Sequence, residues 1–263
     1  VGDAWRLALG TLTTVRVPPP GKVTRVVAGR AMLLAPVAGC LLGLLGGAVL
    51  WLSATVGTGG WLAAALAVMA LRLGDRAFHL DGLADTADGL AASYDRERAL
   101  AVMRTGDTGP AGAVALVLVL LVQVAAAAQL AQAGPALAAV GFGVAITVSR
   151  AMLAVCCVRG VPSARPDGLG AAVAGSVGRL SAIGMCIVVT GALAAVLSVA
   201  DRAHVVPWWA VPVAVVAAIV ATGVVLRRCV RRFGGVTGDV LGAVVEVSLA
   251  ASLTALVPMI IGS

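Results

Sequence analysis

Apolar positions along the 263 residues neither alternate in twos nor recur every three to four; they form long runs broken by short polar segments rich in arginine. Seven runs can be marked, at about 31–56, 60–73, 111–131, 135–158, 180–200, 205–226 and 240–261. All but the second approach or exceed the roughly 20 residues that carry a helix across about 30 Å of hydrocarbon. The second ends in Arg72, Asp75 and Arg76, so it either spans with its arginines snorkelling or continues as a helix into the polar segment. The pattern predicts an all-α polytopic membrane bundle of about seven transmembrane helices, forming a single domain over 1–263. Strands of an outer-membrane barrel would alternate over about ten residues, which these runs do not do. Ahead of the first run, Trp5, Leu9, Leu12 and Val15 recur at helical spacing with Arg6 and Arg16 among them, which predicts a short amphipathic helix lying in the interface.

Composition agrees with a bilayer as solvent. Hydrophobic residues make up 60% and charged residues 12%, against roughly 25% charged in a soluble domain. Mean hydropathy is +1.05. The 33 glycines allow helices to pack closely through small side chains. Cys40, Cys156, Cys157, Cys186 and Cys229 lie in or beside apolar runs without CxxC spacing, so packing thiols are expected in preference to metal or redox roles. The first thirty residues hold five basic side chains and Pro18-Pro19-Pro20 without an apolar core, so a secretory signal is not expected there.

Charge changes the picture more than its total suggests. A net charge of +7 could mean a nucleic-acid partner in a soluble protein, but 18 of the 19 basic residues are Arg and they sit between apolar runs. Placed on alternate sides of seven spans, seventeen of the nineteen fall on one side: five in the N-terminal tail, five after the second span, three after the fourth and four after the sixth. Arg150, inside the fourth run, and Arg202, on the opposite side, are the exceptions. The bias predicts a cytoplasmic N-terminus and an external C-terminus, and removes the need for nucleic acid. No repeat of 20–50 residues is visible, which gives an inverted-repeat transporter no support.

The acids are concentrated. Seven of the twelve, Asp75, Asp81, Asp85, Asp88, Asp95, Glu97 and Asp107, fall in one segment of about 74–110 on the arginine-rich side. On a helix, Asp81, Asp85 and Asp88 share a stripe of about 60°. Three carboxylates so placed repel one another unless a cation intervenes, and oxygen-only ligands favour a hard ion, Mg²⁺ or Mn²⁺, that completes its shell with water and phosphate. Gly82, Ala84, Thr86, Ala87 and Gly89 leave room for a bulky phosphorylated ligand. The alternative is a solvated acidic face beside a membrane; such faces usually mix Lys with Glu, and this segment has no Lys.

The string Phe78-His79-Leu80-Asp81-Gly82-Leu83-Ala84-Asp85-Thr86-Ala87-Asp88-Gly89-Leu90 resembles the cobalamin synthases, or adenosylcobinamide-GDP ribazoletransferases. Leu12 to Pro18, Arg96 to Arg104 followed by Gly109 and Gly112, and Gly234 to Ala243 support the likeness in the same order, so it covers nearly the whole chain. Arg104 is followed by Thr105 and Gly106, with the acid only at Asp107, a departure from the family pattern that leaves Asp107 without an assigned role. The resemblance implies a Mg²⁺-dependent transferase of the bacterial inner membrane, with its active site facing the cytoplasm. It would join adenosylcobinamide-GDP to α-ribazole or its 5′-phosphate and release GMP. Displacement of a nucleotide from a pyrophosphate needs charge on the bridging oxygens and an aligned nucleophile, which suits the carboxylate stripe independently.

Asp81, Asp85 and Asp88 are therefore the expected metal-holding and catalytic residues, with Asp85 and Asp88 foremost because D-x-x-D-G also occurs in CDP-alcohol phosphotransferases. His79 is expected either as a general base or phosphate ligand, or as an interfacial histidine bonded to backbone. Gly235, Thr237, Gly238 and Asp239 form a flexible turn able to offer N–H groups to a phosphate, with Asp239 near enough to ligate metal or a ribose hydroxyl. Arg150 and Glu246 lie well inside runs and are expected to pair or to line the substrate cavity; Arg150, with Arg159 and Arg165, is a candidate contact for the GDP moiety. A CDP-alcohol phosphatidyltransferase is the alternative enzyme, although Leu90-Ala91-Ala92-Ser93 does not complete its motif; a small-molecule transporter is the alternative from another class.

Overall fold

The computed structural model describes residues 2–201 and 206–261. Its helices are, in chain order, α1 (Gly2–Leu12), α2 (Arg25–Thr55), α3 (Gly60–Gly74), α4 (Phe78–Ala92), α5 (Arg96–Val102), α6 (Pro110–Leu130), α7 (Pro135–Cys156), α8 (Gly168–Val173), α9 (Arg179–Ala200), α10 (Ala210–Phe233) and α11 (Gly238–Ile261). Among the described residues the only extended pairings are two isolated bridges, Val158 with Val177 and Ser163 with Val236. Six helices, α2, α6, α7, α9, α10 and α11, are long and apolar enough to cross a membrane, and α3 is a shorter apolar helix. The expected all-α bundle is thus observed. Arg202 and the first residue of the sixth run lie outside the described residues.

Small residues set the centre of the bundle. Gly39, Gly43 and Gly47 recur every four residues on one face of α2, and a Cβ at each would meet the backbone of Thr147, Gly143 and Ala139 on α7 at 2.9, 3.0 and 2.8 Å. In lipid, where water supplies no force between helices, such close backbone approach is what makes dispersion contacts add up. The helices α7 and α11 are largely buried, while α6, α9 and α10 turn most of their surface outward. Cys156, Cys157 and Cys229 are buried thiols as expected, but Cys40 is exposed on α2 and Cys186 is half-buried.

At one end of the bundle the connections fold into a layer. The helix α1 buries Leu7, Leu9 and Leu12 and packs on α2, and its last carbonyls are taken by Thr13 Oγ1 on Leu9 and by Arg76 on Gly10 and Thr11. Val15 falls beyond this helix. The second run does not continue into the polar segment. Asp75 ends α3, and Arg76 and Ala77 take left-handed conformations with φ of 59° and 54° before α4 begins. Two consecutive non-glycine residues there cost about 1–2 kcal/mol each. Asp75 offsets part of that, because its Oδ1 accepts the Ala77 N–H at 3.1 Å. The reversal lays α4, with its carboxylates, across the ends of α6 and α11.

Candidate active site

The helix α4 runs from Phe78 to Ala92 as the spacing predicts, and its acidic stripe faces two neighbours. One is α11: a Cβ on Gly82 would sit 2.7 Å from the Asp239 carbonyl oxygen and 2.9 Å from its Cα, so only glycine allows the two backbones to touch here. This contact brings Asp239 beside Asp81 and Asp85. The other neighbour is the start of α6. Asp88 is buried, and its two carboxylate oxygens accept the Gly109 and Gly112 N–H groups at 2.7 and 2.8 Å. A helix leaves its first four N–H groups unpaired, and a carboxylate there satisfies both hydrogen bonding and the helix dipole. Asp88 thus shares the stripe but its oxygens already hold α6 in place.

Beside the stripe lies a groove of about 200 Å³, lined by Phe78, Asp81, Arg165, Asp167, the first residues of α8 from Gly168 to Gly170 and residues Val236 to Asp239. Thr237 caps α11: its Oγ1 accepts the Val240 N–H at 3.2 Å and donates to Asp239 Oδ2 at 3.1 Å, which fixes that carboxylate toward the groove. Arg165 faces it, with Nη1 3.9 Å from Asp239 Oδ2, and is itself held by the Leu100 carbonyl at 2.8 Å. Gly238 is open to the groove, whereas Gly235 is buried against the backbone of Pro162 to Ala164 and serves that packing. The turn therefore contributes Thr237, Gly238 and Asp239 to the groove, while Gly235, expected there too, lies outside its lining.

The charge of this cluster is only partly compensated. Burial pushes the Asp85 carboxyl up to about 6, repulsion from Asp81, Asp239 and Asp88 adds to the rise, and Arg165 only partly opposes it. In donor type and charge such a set suits a hard divalent cation, all donors being oxygens with negative charge in excess, although Asp81, Asp85 and Asp239 do not bring their carboxylate oxygens within 4.8 Å of one another.

Two residues expected at the site lie elsewhere. His79 is closed off from the groove, only 2% exposed, with Nδ1 3.5 Å from Asp75 Oδ2. Burial drives its pKa down despite that carboxylate, so it is a neutral, inward-facing imidazole. Arg150 is fully buried and donates to Asp75 Oδ2 at 2.9 Å and to Ser149 Oγ at 2.9 Å, so it does not reach the groove. The reason is electrostatic: an arginine inside a bundle is stabilised where carboxylates converge. Arg150 belongs to a buried network in which Arg72 bonds Asp75, Glu246 and Gln123, and Gln123 Nε2 donates to Glu246 Oε2 at 2.9 Å. Arg150 and Glu246 are thus members of one network without pairing directly. Among the described residues, Asp75, His79 and Glu246 are the trio whose ligand atoms all come within 4.8 Å of one another. Two guanidinium groups already fill the place a cation would take. The sequence carried a signal for this network in Gln123, the one strongly polar residue within the run at 111–131 apart from its last turn.

A family model described as cobalamin-5-phosphate synthase matches residues 4–257. The chain is similar to the adenosylcobinamide-GDP ribazoletransferase of Nocardioides sp. (strain ATCC BAA-499 / JS614), 47% identical over 96% of this chain and 97% of that relative. The protein of the same name from Frankia casuarinae is 39% identical over 94% of this chain and 92% of its own length. That from Pseudomonas entomophila is 36% identical over 97% and 98%. No solved structure matches.

Proposed function

The chain belongs to the cobalamin-5-phosphate synthase family, and from that premise we propose that it joins adenosylcobinamide-GDP to α-ribazole or its 5′-phosphate, releasing GMP, at the acidic groove between α4 and α11. The family match favours this over the CDP-alcohol phosphatidyltransferase and transporter readings. The observation that carries the placement is the convergence of Asp81, Asp85 and Asp239 from two helices beside Arg165, with Asp85 raised to about 6.

In the reaction a ribazole hydroxyl forms a bond to the cobinamide-side phosphorus while the pyrophosphate bond to GMP breaks. Asp81, Asp85 and Asp239 would hold Mg²⁺, and Mn²⁺ would fit the same oxygens. When bound, the ion would neutralise charge that builds on the bridging and leaving oxygens. Thr237 keeps the Asp239 carboxylate aimed into the groove. Arg165, anchored through Nη2 on the Leu100 carbonyl, offers Nη1 to a phosphate oxygen of the departing nucleotide. Asp88 locks α4 to α6, so that the stripe keeps its position as charge moves. Glycines at 168 and 238 leave parts of the groove wall without side chains, which lets a large corrinoid substrate bring its pyrophosphate close, while Gly170 allows its backbone to pack on that of Val236 and Thr237.

Orientation follows from charge: with seventeen of nineteen basic residues at the groove end, we place that end and the N-terminus in the cytoplasm and the chain in the bacterial inner membrane. The test is to incubate the purified protein in detergent with adenosylcobinamide-GDP, α-ribazole and Mg²⁺ and to follow GMP and the joined corrinoid by mass spectrometry. Product that disappears on chelation and returns with Mg²⁺ is expected. A folded preparation that makes no product overturns the assignment, and product formed equally in chelator overturns the metal.

A further inference from the structure

The helix α10 ends in Arg227, Arg228, Arg231 and Arg232, which at spacings of three and four share one face. Among the described residues none of the four forms an ion pair with a carboxylate. Arg232 is engaged otherwise: it donates to the carbonyls of Leu90 and Ser93, and its guanidinium lies 4.3 Å from the centre of the Tyr94 ring. The other three are exposed around a hollow of about 480 Å³ whose remaining walls are Tyr94 and Val224. Tyr94 is 91% exposed, an unusual position for a ring unless a partner covers it. Toward the middle of the helix, Val216, Val220 and Val224 continue from the hollow as a single stripe, 59%, 59% and 64% exposed.

A bias of arginine toward one side of the membrane and the favourable field at a helix C-terminus account for basic residues at this end. They do not account for three unpaired guanidinium groups around one hollow with a stacked tyrosine at its rim, and the outward valines of this membrane-crossing helix give that hollow an apolar track leading out of it. That combination matches one ligand chemistry, a phosphodiester anion attached to a hydrocarbon chain. We propose that the hollow binds the headgroup of an anionic phospholipid, with Arg227, Arg228 and Arg231 on the phosphate and one acyl chain along Val224, Val220 and Val216. Arg232 and Tyr94 set the rim and tie it to the end of α4, so the occupied site braces the helix that carries the acidic stripe.

Native mass spectrometry of the full chain, released from neutral detergent and titrated with phosphatidylglycerol or with phosphatidylcholine of the same acyl chains, tests this. Phosphatidylglycerol is expected to bind in preference. The triple variant Arg227→Gln, Arg228→Gln, Arg231→Gln should weaken that binding by at least about tenfold and leave phosphatidylcholine unchanged. The corresponding triple Lys variant should keep most of the affinity, and if the Gln triple does not stay monodisperse the pair Arg228→Gln, Arg231→Gln serves in its place. Arg232 is spared because it holds Leu90 and Ser93. Equal binding of the two lipids, or unaltered binding by the Gln variants, overturns the proposal. Displacement of phosphatidylglycerol by equimolar inorganic phosphate or GMP also overturns it, since the site would then be one for a soluble phosphate.

Discussion

Gly82 and Gly89 stand seven residues apart on the same helix, and by sequence alone they are equivalent small residues in an acidic motif. Their surroundings differ. A methyl group on Gly82 would meet the backbone of Asp239, at 2.7 Å from the carbonyl oxygen and 2.9 Å from Cα, whereas on Gly89 it would meet chiefly the Met103 Cγ and Sδ at 2.6 and 2.9 Å, with the nearest backbone atom, the Ala99 carbonyl oxygen, at 3.3 Å. The Met side chain can swing away, but the backbone of α11 cannot. Restoring ordinary contact at Gly82 requires α4 and α11 to part by roughly 0.7–1 Å. That is the distance across which Asp81 and Asp85 face Asp239, and a misplacement of this size at a reacting centre lowers the rate by up to about a hundredfold. Gly82→Ala should therefore reduce kcat for GMP release by about 30–100-fold, equivalent to about 2–3 kcal/mol. Gly89→Ala should stay within about threefold of the parent, while each gains about 1 kcal/mol of helix propensity. Initial rates at saturating Mg²⁺, with melting temperature in detergent as the check on folding, decide it. A Gly82→Ala enzyme within threefold of the parent, or equal damage from both substitutions, would show that the α4–α11 contact does not position the site.

Asp85→Asn is expected to abolish turnover with melting temperature unchanged or raised, since it removes repulsion. Asp88→Asn is expected to lose activity together with about 1–2 kcal/mol of stability from the start of α6; identical thermal behaviour of the two variants would remove the distinction drawn between them. The folded value of Asp85, about 6, lies above its ordinary 3.8, so the stability its proton lends is complete below about pH 4 and is lost as pH rises through 6. Melting temperature of the metal-free protein should accordingly fall between about pH 4 and 6, recover on adding Mg²⁺, and lose this slope in Asp85→Asn; a slope that persists in the variant assigns it to another group. Arg150→Met should destabilise by up to about 3 kcal/mol by leaving buried Asp75 with Arg72 as its one remaining guanidinium partner, and adding Asp75→Asn should return part of the loss; additive losses in thermal melts would mean that the two side chains do not act as a pair.

The sequence made the bundle legible because lipid leaves few choices: an apolar run of twenty residues must be a helix, and the six long ones are. It also located the acidic helix, since Asp81, Asp85 and Asp88 keep helical spacing and α4 has helical geometry across all three. Side-chain direction was beyond its reach. Asp88 looks like its neighbours in sequence, yet the N-terminus of α6, some twenty residues later, turns its oxygens aside. Arg150 looked like a phosphate ligand because a lone charge within a span suggests function, and its partner, Asp75, is separated from it by 75 residues and by a reversal built on two left-handed residues that no spacing rule anticipates. Asp239 was recognised as an acid near a glycine turn, but its place beside Asp81 depends on the contact at Gly82, a matter of tertiary packing.

The buried network also constrains how the chain enters the membrane. Arg72 is made early and ends a helix of only fifteen residues, while the carboxylate that bonds it, Glu246, arrives 174 residues later on the last helix. During synthesis the first six hydrophobic helices must therefore wait with an incompletely neutralised guanidinium group, and Glu246 must enter the bilayer as an acid in search of a partner. Neither group is comfortable in lipid until they meet, so arrival of α11 closes the bundle electrostatically as well as sterically. The helix that completes this charge balance also carries Asp239, so a chain that has not finished assembling has no active site to misuse.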